Sequence, residues 1–168
     1  MGLIYKKVEE TDKEQLLNLI DIVLKSLANP SFFIPYDQWE LDNMFDEINY
    51  AYLHGSYDGN ELVAMGQLYV SQNILTELKK ELGVTKYKVC ELGGILVLPE
   101  YRRQGIATNL ELLNLNLAKN LGFDYIAATV HPDNISSKKA LEKIGLDFIK
   151  ETTLSNGFLR KLYMKKLN

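Results

Sequence analysis

One stretch limits the possible folds more than any other: residues 88–130 place two apolar segments around an amphipathic one. Residues 88–98 read as a strand that Pro99 closes. Residues 108–120 follow with Leu110, Leu113 and Leu117 at helical spacing, and Leu121 continues the series up to the stop at Gly122. Residues 125–130, Tyr-Ile-Ala-Ala-Thr-Val, then form a short apolar run of strand length. Strand, helix and strand in this order imply a right-handed crossover between parallel neighbours, so the chain is expected to be α/β. The first of these strands carries Gly93-Gly94 in its interior. Glycines there mark a bulge, or a place where another backbone or a ligand comes close.

The remaining elements extend the sheet. Residues 3–8 read as a strand. Thr11 with Glu14 has the form of a capping box opening a helix whose Leu16, Leu17, Ile20, Leu24 and Leu27 make one stripe, ended by Asn29-Pro30. An aromatic loop containing Phe32, Phe33 and Tyr36 leads to a second helix expected over 38–47, with Trp39 and Phe45 among its apolar residues. Residues 50–70 form two strands turning at Asp58-Gly59, a dipeptide that accepts the positive φ of a hairpin. A short helix over 75–82, capped by Gly83, reads as an insertion. A further helix over 136–144 ends at Gly145, and a last strand over 159–165 follows the turn at Asn156-Gly157. Hairpins together with a crossover make a mixed sheet. The 168 residues, 46% hydrophobic, suit one domain spanning 1–168.

Composition removes several function classes. A net charge of −3 with interspersed signs supplies no basic field for a nucleic acid. One cysteine, Cys90, makes no internal disulfide, and two histidines offer no zinc ligand set, so no metal is expected. The first residues lack the basic-then-apolar order of a signal peptide, and there is no run of about 18 apolar residues for a membrane. The expectation is a cytoplasmic protein with no membrane partner.

Between the strand at 88–98 and its helix stand Arg102, Arg103, Gln104, Gly105, Ile106, Ala107 and Thr108. Gly105 and Ala107 keep side chains out of the way of an approaching ligand. The first N–H groups of the helix point outward at the positive end of its dipole, and the two arginines add charge suited to a pyrophosphate. The turn lacks the Gly-Lys-Ser/Thr of a P-loop and the three spaced glycines of a dinucleotide fingerprint. Taken alone, Gly105 also suits a plain strand-to-helix turn flanked by solvated arginines.

Arg-x-x-Gly-x-Ala after Leu96-Val97-Leu98-Pro99 resembles the acetyl-CoA signature of the GNAT superfamily of N-acetyltransferases. Val130-His131-Pro132-Asp133-Asn134, with Ser137, Ala140 and Glu142-Lys143-Ile144-Gly145 after it, resembles the next segment of that family. The resemblance implies a GNAT-like mixed, mostly antiparallel sheet of about six to seven strands with flanking helices, splayed at a central parallel pair. It also implies that acetyl-CoA is the co-substrate. The backbone of Leu96 and Val97 would bond the pantetheine arm, the amides of Gln104 to Thr108 the pyrophosphate, and Asn134, with Ser137 beside it, the pantetheine side. Asn134 equally suits a helix N-cap.

Glu91, in an otherwise apolar strand, is the candidate general base, and its spacing to Arg102 is similar to that of the glutamate that serves as base in several branches of the family. An amine of pKa near 10.4 and a carboxylate near 4.3 differ by about 6 units, or roughly 8 kcal/mol, so such a base needs desolvation to raise its pKa. A salt-bridged carboxylate is the alternative for Glu91. Many family members carry a tyrosine as general acid where this chain has Leu141, and Tyr163 is the substitute in view. Cys90 alternates with Glu91 on the strand and reads as a small buried hydrophobe, and His131 as a turn residue. The expected reaction is direct transfer of an acetyl group to a primary amine of a small molecule or peptide, by a monomer or homodimer. The alternative is a non-catalytic acyl-CoA-binding regulatory module, which the missing tyrosine favours.

Overall fold

The computed structural model describes residues 2–168. Seven strands form one sheet: β1 (Ile4–Lys7), β2 (Ala51–Asp58), β3 (Glu61–Tyr69), β4 (Val89–Val97), β5 (Tyr125–Val130), β6 (Asp147–Thr153) and β7 (Leu159–Lys166). Their spatial order is β1-β2-β3-β4-β5-β7-β6, and β4 with β5 is the one parallel pair, as the crossover required. The helices α1 (Lys13–Lys25), α2 (Gln38–Asp42) and α3 (Thr76–Glu81) cover one face. The other face is covered by α4 (Ile106–Asn120) and α5 (Ile135–Lys143). Among the described residues no helix is long and apolar enough to cross a membrane.

Two irregularities at the sheet centre create the site. The parallel ladder runs only from Val89↔Tyr125 to Leu92↔Ala128, after which β4 stays with β3 and β5 stays with β7, so the strands part. Immediately beyond, Met65↔Leu96 and Gln67↔Gly93 enclose one residue on β3 but two on β4, which is a bulge at Gly94-Ile95. Gly94 has φ +59, and a Cβ there would lie 2.2 Å from Gln67 Oε1, so no other residue fits without displacing that side chain. The extra residue reverses the alternation of faces. Cys90 and Leu92 pack under α4 and α5; past the bulge Ile95 and Val97 do so, while Leu96 and Leu98 turn to the α1 face.

Three elements, α1, α2 and β6, depart from the sequence expectation. The capping box at Thr11 and Glu14 does not form: a single 3-10 turn at Glu10–Asp12 precedes α1, and the Asp12 carboxylate instead accepts from Tyr57 Oη at 2.7 Å. The buried stripe of α1 is Leu16, Leu19, Ile20 and Val23, with Leu17 exposed and Leu27 beyond the helix end. Helix α2 stops at Asp42 and not at 47, because Asp46 Oδ1 takes the N–H groups of Ile48 and Asn49 in a turn. Strand β6 was not foreseen. It is an edge strand in which only Lys150 and Thr152 are partly buried, so its sequence lacks the alternation that marks a half-buried strand. The inserted helix α3 has a packing role: Leu75, Leu78 and Leu82 close on Val89, Ala127 and Leu162.

Candidate coenzyme and transfer site

Helix α4 begins where the chain must reverse direction after β4. Arg103 at φ 63 and Gly105 at φ 74 are both left-handed, and the residues between β4 and the helix make a tight turn through Pro99–Tyr101. Gly105 is the N-cap and brings no capping side chain. In consequence the N–H groups of Gln104, Gly105, Ile106, Ala107 and Thr108 have no acceptor among the described residues. A Cβ on Gly105 would meet nothing within 4 Å, so this row of donors faces open space. Such a row at the positive end of a four-turn helix has the donors and the dipole that an anion would require.

A cleft of about 510 Å³, which Ala107 of this row lines, extends along the splay. Its floor is β4 from Leu92 to Val97 and β5 from Ala128 to Val130. Ala107 of α4, Asn134 at the cap of α5, and Ser137 and Leu141 of α5 wall one side; Ser26, Phe32 and Phe33 wall the other. The Phe32 ring meets His131 at 4.9 Å, and Arg160 Nη2 donates to Ser31 O at 2.7 Å, so the segment carrying these aromatics is tied to the far strands.

Each sequence candidate has a definite place. Arg102 lines the cleft, but its guanidinium donates to Val97 O at 3.3 Å and Ser26 Oγ at 2.9 Å, bridging β4 to the end of α1. Arg103 is exposed, and the Ile106 side chain lies in the core while its amide joins the row. Asn134 caps α5, its Oδ1 accepting from Ser137 N–H at 3.2 Å, and it also lines the cleft.

Leu96 needs correction as a backbone partner for a ligand. Leu98 N–H donates to Val63 O, and the antiparallel ladder alternates, so Leu96 also directs its backbone to β3. Val97 is the residue whose backbone faces the splay, and its carbonyl is already held by Arg102.

Glu91 lies on the α1 face, paired across the ladder with Tyr69 and beside Gly93. Burial pushes its carboxyl up from 4.5 to about 7; the Thr129 hydroxyl, donating to it, pulls the other way, and Glu40 adds a smaller upward push. Thr129 also lines the cleft and thus links the carboxylate to it. Around it stand Tyr36 and Tyr69, both donating to Gln67 Oε1, and Tyr50, donating to Glu40 Oε2 at 2.7 Å. Cys90, on the opposite side of the strand, is fully buried, and burial pushes its thiol up to about 12, which removes it as a nucleophile. The His131 ring accepts from Asp133 N–H at 3.0 Å, a turn role.

Tyr163 is not brought to the site. It is 2% exposed within the apolar cluster of Leu141, Ile144 and Leu146, its ring against Phe148, and it does not line the cleft. Its strand runs antiparallel to β5, and position 163 falls on the core side behind α5. Sequence reasoning missed Glu111, which lines the cleft from α4 at 6% exposure. The leucines on every side of that helix concealed which face is buried; the face is Leu110, Glu111, Asn114, Leu115 and Ala118.

Residues 22–146 match the model of the acetyltransferase (GNAT) family. No curated protein matches the chain significantly. Among solved structures, an N-acetyltransferase from Staphylococcus aureus Mu50 superposes with a TM-score of 0.74 at 14% identity, each chain covered in full. The yncA protein of Salmonella typhimurium, solved with its cofactor acetyl-CoA, gives 0.71 at 10% identity, covering 100% of this chain and 95% of that one. NAA60 of Arabidopsis thaliana, in complex with a bisubstrate analogue, gives 0.75 at 12% identity and 99% of both chains. At these identities the likeness is one of fold.

Proposed function

We propose that this chain, which belongs to the GNAT acetyltransferase family, is an N-acetyltransferase that carries an acetyl group from acetyl-CoA directly to a primary amine. The observation that carries the reading is the unpaired donor row from Gln104 to Thr108, opening into a cleft that passes through the splay to the neighbourhood of Glu91. The residues fit the co-substrate in kind. The row suits a pyrophosphate. The parted strands suit an extended arm carrying amides, because the edge of β4 past Leu92 has no ladder partner on the β5 side. Asn134 and Ser137 add polar side chains along the same wall.

Glu91 then serves as the base. At pH near 7 about half of a carboxyl of that pKa is ionised, and it is a far better acceptor of an ammonium proton than an ordinary carboxylate. The amine proton passes to Glu91 directly or through one water as the nitrogen bonds the acetyl carbon. The acceptor is an amine of a small molecule or peptide, approaching from the face where Glu91, Glu40 and the tyrosines stand.

Acetyl-CoA is mixed with panels of amines and peptides, and the free thiol released is measured. Release that requires an acceptor, and that Gly105→Glu abolishes by placing a carboxylate in the anion row, supports the reading. Tight coenzyme binding without turnover on any acceptor overturns it in favour of a binding module.

A further inference from the structure

The cleft holds two side chains that can carry charge, Arg102 and Glu111. Arg102 is committed to Val97 O and Ser26 Oγ. Glu111 is committed to nothing: it is 6% exposed, and its Oε2 has no hydrogen-bond partner. A buried carboxyl oxygen without a partner is costly, so it is retained where something outside the chain completes it.

Its depth in the cleft is set by Gly66. A Cβ there would lie 2.8 Å from Ile95 Cδ1, 3.3 Å from Leu110 Cβ and 3.5 Å from Asn114 Nδ2. The turn of α4 from Leu110 to Asn114 therefore stands over Gly66 of β3, which lies opposite the Gly94-Ile95 bulge of β4, just beyond the end of the parallel ladder. Glu111 belongs to that turn and faces the cleft, one turn deeper than Ala107 and well past the anion row. On the same wall α5 presents Leu141, which has no proton to give.

We propose that Glu111 is the proton donor of the reaction, giving its proton to the coenzyme sulfur as the carbon–sulfur bond breaks. The inference rests on the acetyl-transfer reading above. The balance closes: the amine nitrogen bonds the acetyl carbon, its proton goes to Glu91, the sulfur leaves with the bonding pair and takes the Glu111 proton, and both carboxyls return to their starting states by exchange with water. Burial alone pushes the Glu111 carboxyl up to about 7. It is thus about half protonated near pH 7 and largely protonated below, and it is a stronger acid than a thiol of about 8.5, so the transfer runs downhill. From β4, β5 and α5 no other titratable side chain lines the cleft; His54 of β2 reaches only Asn114, whose Oδ1 it approaches at 3.1 Å through Nδ1.

The test uses Glu111→Gln, of the same shape, and Glu111→Leu, which suits the burial if the amide does not. With wild-type protein kcat falls on the alkaline side as Glu111 ionises. In either variant that limb is lost and kcat near neutrality drops about 100-fold. The second readout needs no turnover. Thiolate absorbance of bound coenzyme A is titrated, and the ionised Glu111 beside the sulfur holds the wild-type thiol about one pH unit or more above its value in Glu111→Gln. An unchanged alkaline limb and an unchanged thiol titration overturn the proposal while leaving acetyl transfer intact. A wild-type protein that acetylates no amine overturns the acetyl-transfer reading itself.

Discussion

Replacing Glu91 by glutamine removes an ionisable group that folding holds in an unfavourable place, and stability and rate are expected to move in opposite directions. The carboxyl rises from 4.5 in the open chain to about 7 in the fold, chiefly through burial. That difference is worth about 3 kcal/mol, an upper value since the group keeps some contact with solvent. The folded state binds the proton more tightly than the unfolded one. Below pH 4.5 both states are protonated and nothing is lost; between 4.5 and about 7 the unfolded chain ionises first and the wild type loses stability; above about 7 the full cost is present. Glu91→Gln carries no such cost, so its stability relative to wild type grows from pH 4.5 to 7 and levels off beyond, by up to about 3 kcal/mol. Urea denaturation at half-unit steps from pH 4.5 to 8.5 measures the gap. On the same samples kcat/KM is followed with one acceptor, and the ratio of wild type to variant cancels the titration of the amine itself. That ratio is expected to rise through pH 7 and level off at about 100-fold or more. A stability gap independent of pH refutes the buried carboxylate, and a flat rate ratio refutes Glu91 as the base.

Gly94→Ala puts a methyl group 2.2 Å from Gln67 Oε1 and 2.9 Å from Tyr36 Oη at a φ of +59, and is expected to cost about 2–4 kcal/mol by thermal or urea unfolding. Gly105→Ala also strains a positive φ but meets no atom within 4 Å, so it should cost only about 1–2 kcal/mol and leave the fold intact. Asn134→Ala removes the cap of α5 and a polar group of the cleft wall, and should lower stability by about 1 kcal/mol and weaken coenzyme binding measured by calorimetry. Arg160→Ala frees Ser31 O, and faster amide exchange in the segment carrying Phe32 and Phe33 is the expected sign that its tether to β7 is gone.

Some of this molecule was legible in one dimension. The crossover from β4 through α4 to β5, the hairpin at Asp58-Gly59, the glycine turn before α4 and the bulge at the glycine pair were all readable, because periodicity and turn chemistry are properties of residues close in the chain. Glu91 stood out for the same reason: a carboxylate in an apolar strand breaks a local pattern. The tertiary structure alone decided the rest. One extra residue in β4 reverses which side chains face each layer and turns the backbone of Leu96 to β3 while that of Val97 faces the splay. The burial of Glu111 depends on which stripe of a leucine-rich helix meets the sheet, and the absence of a side chain at Gly66 lets that helix approach. Edge strand β6 and the withdrawal of Tyr163 from the cleft follow from strand order. Depth, facing and pairing are sums over contacts made by residues far apart in the chain, and no local pattern records them.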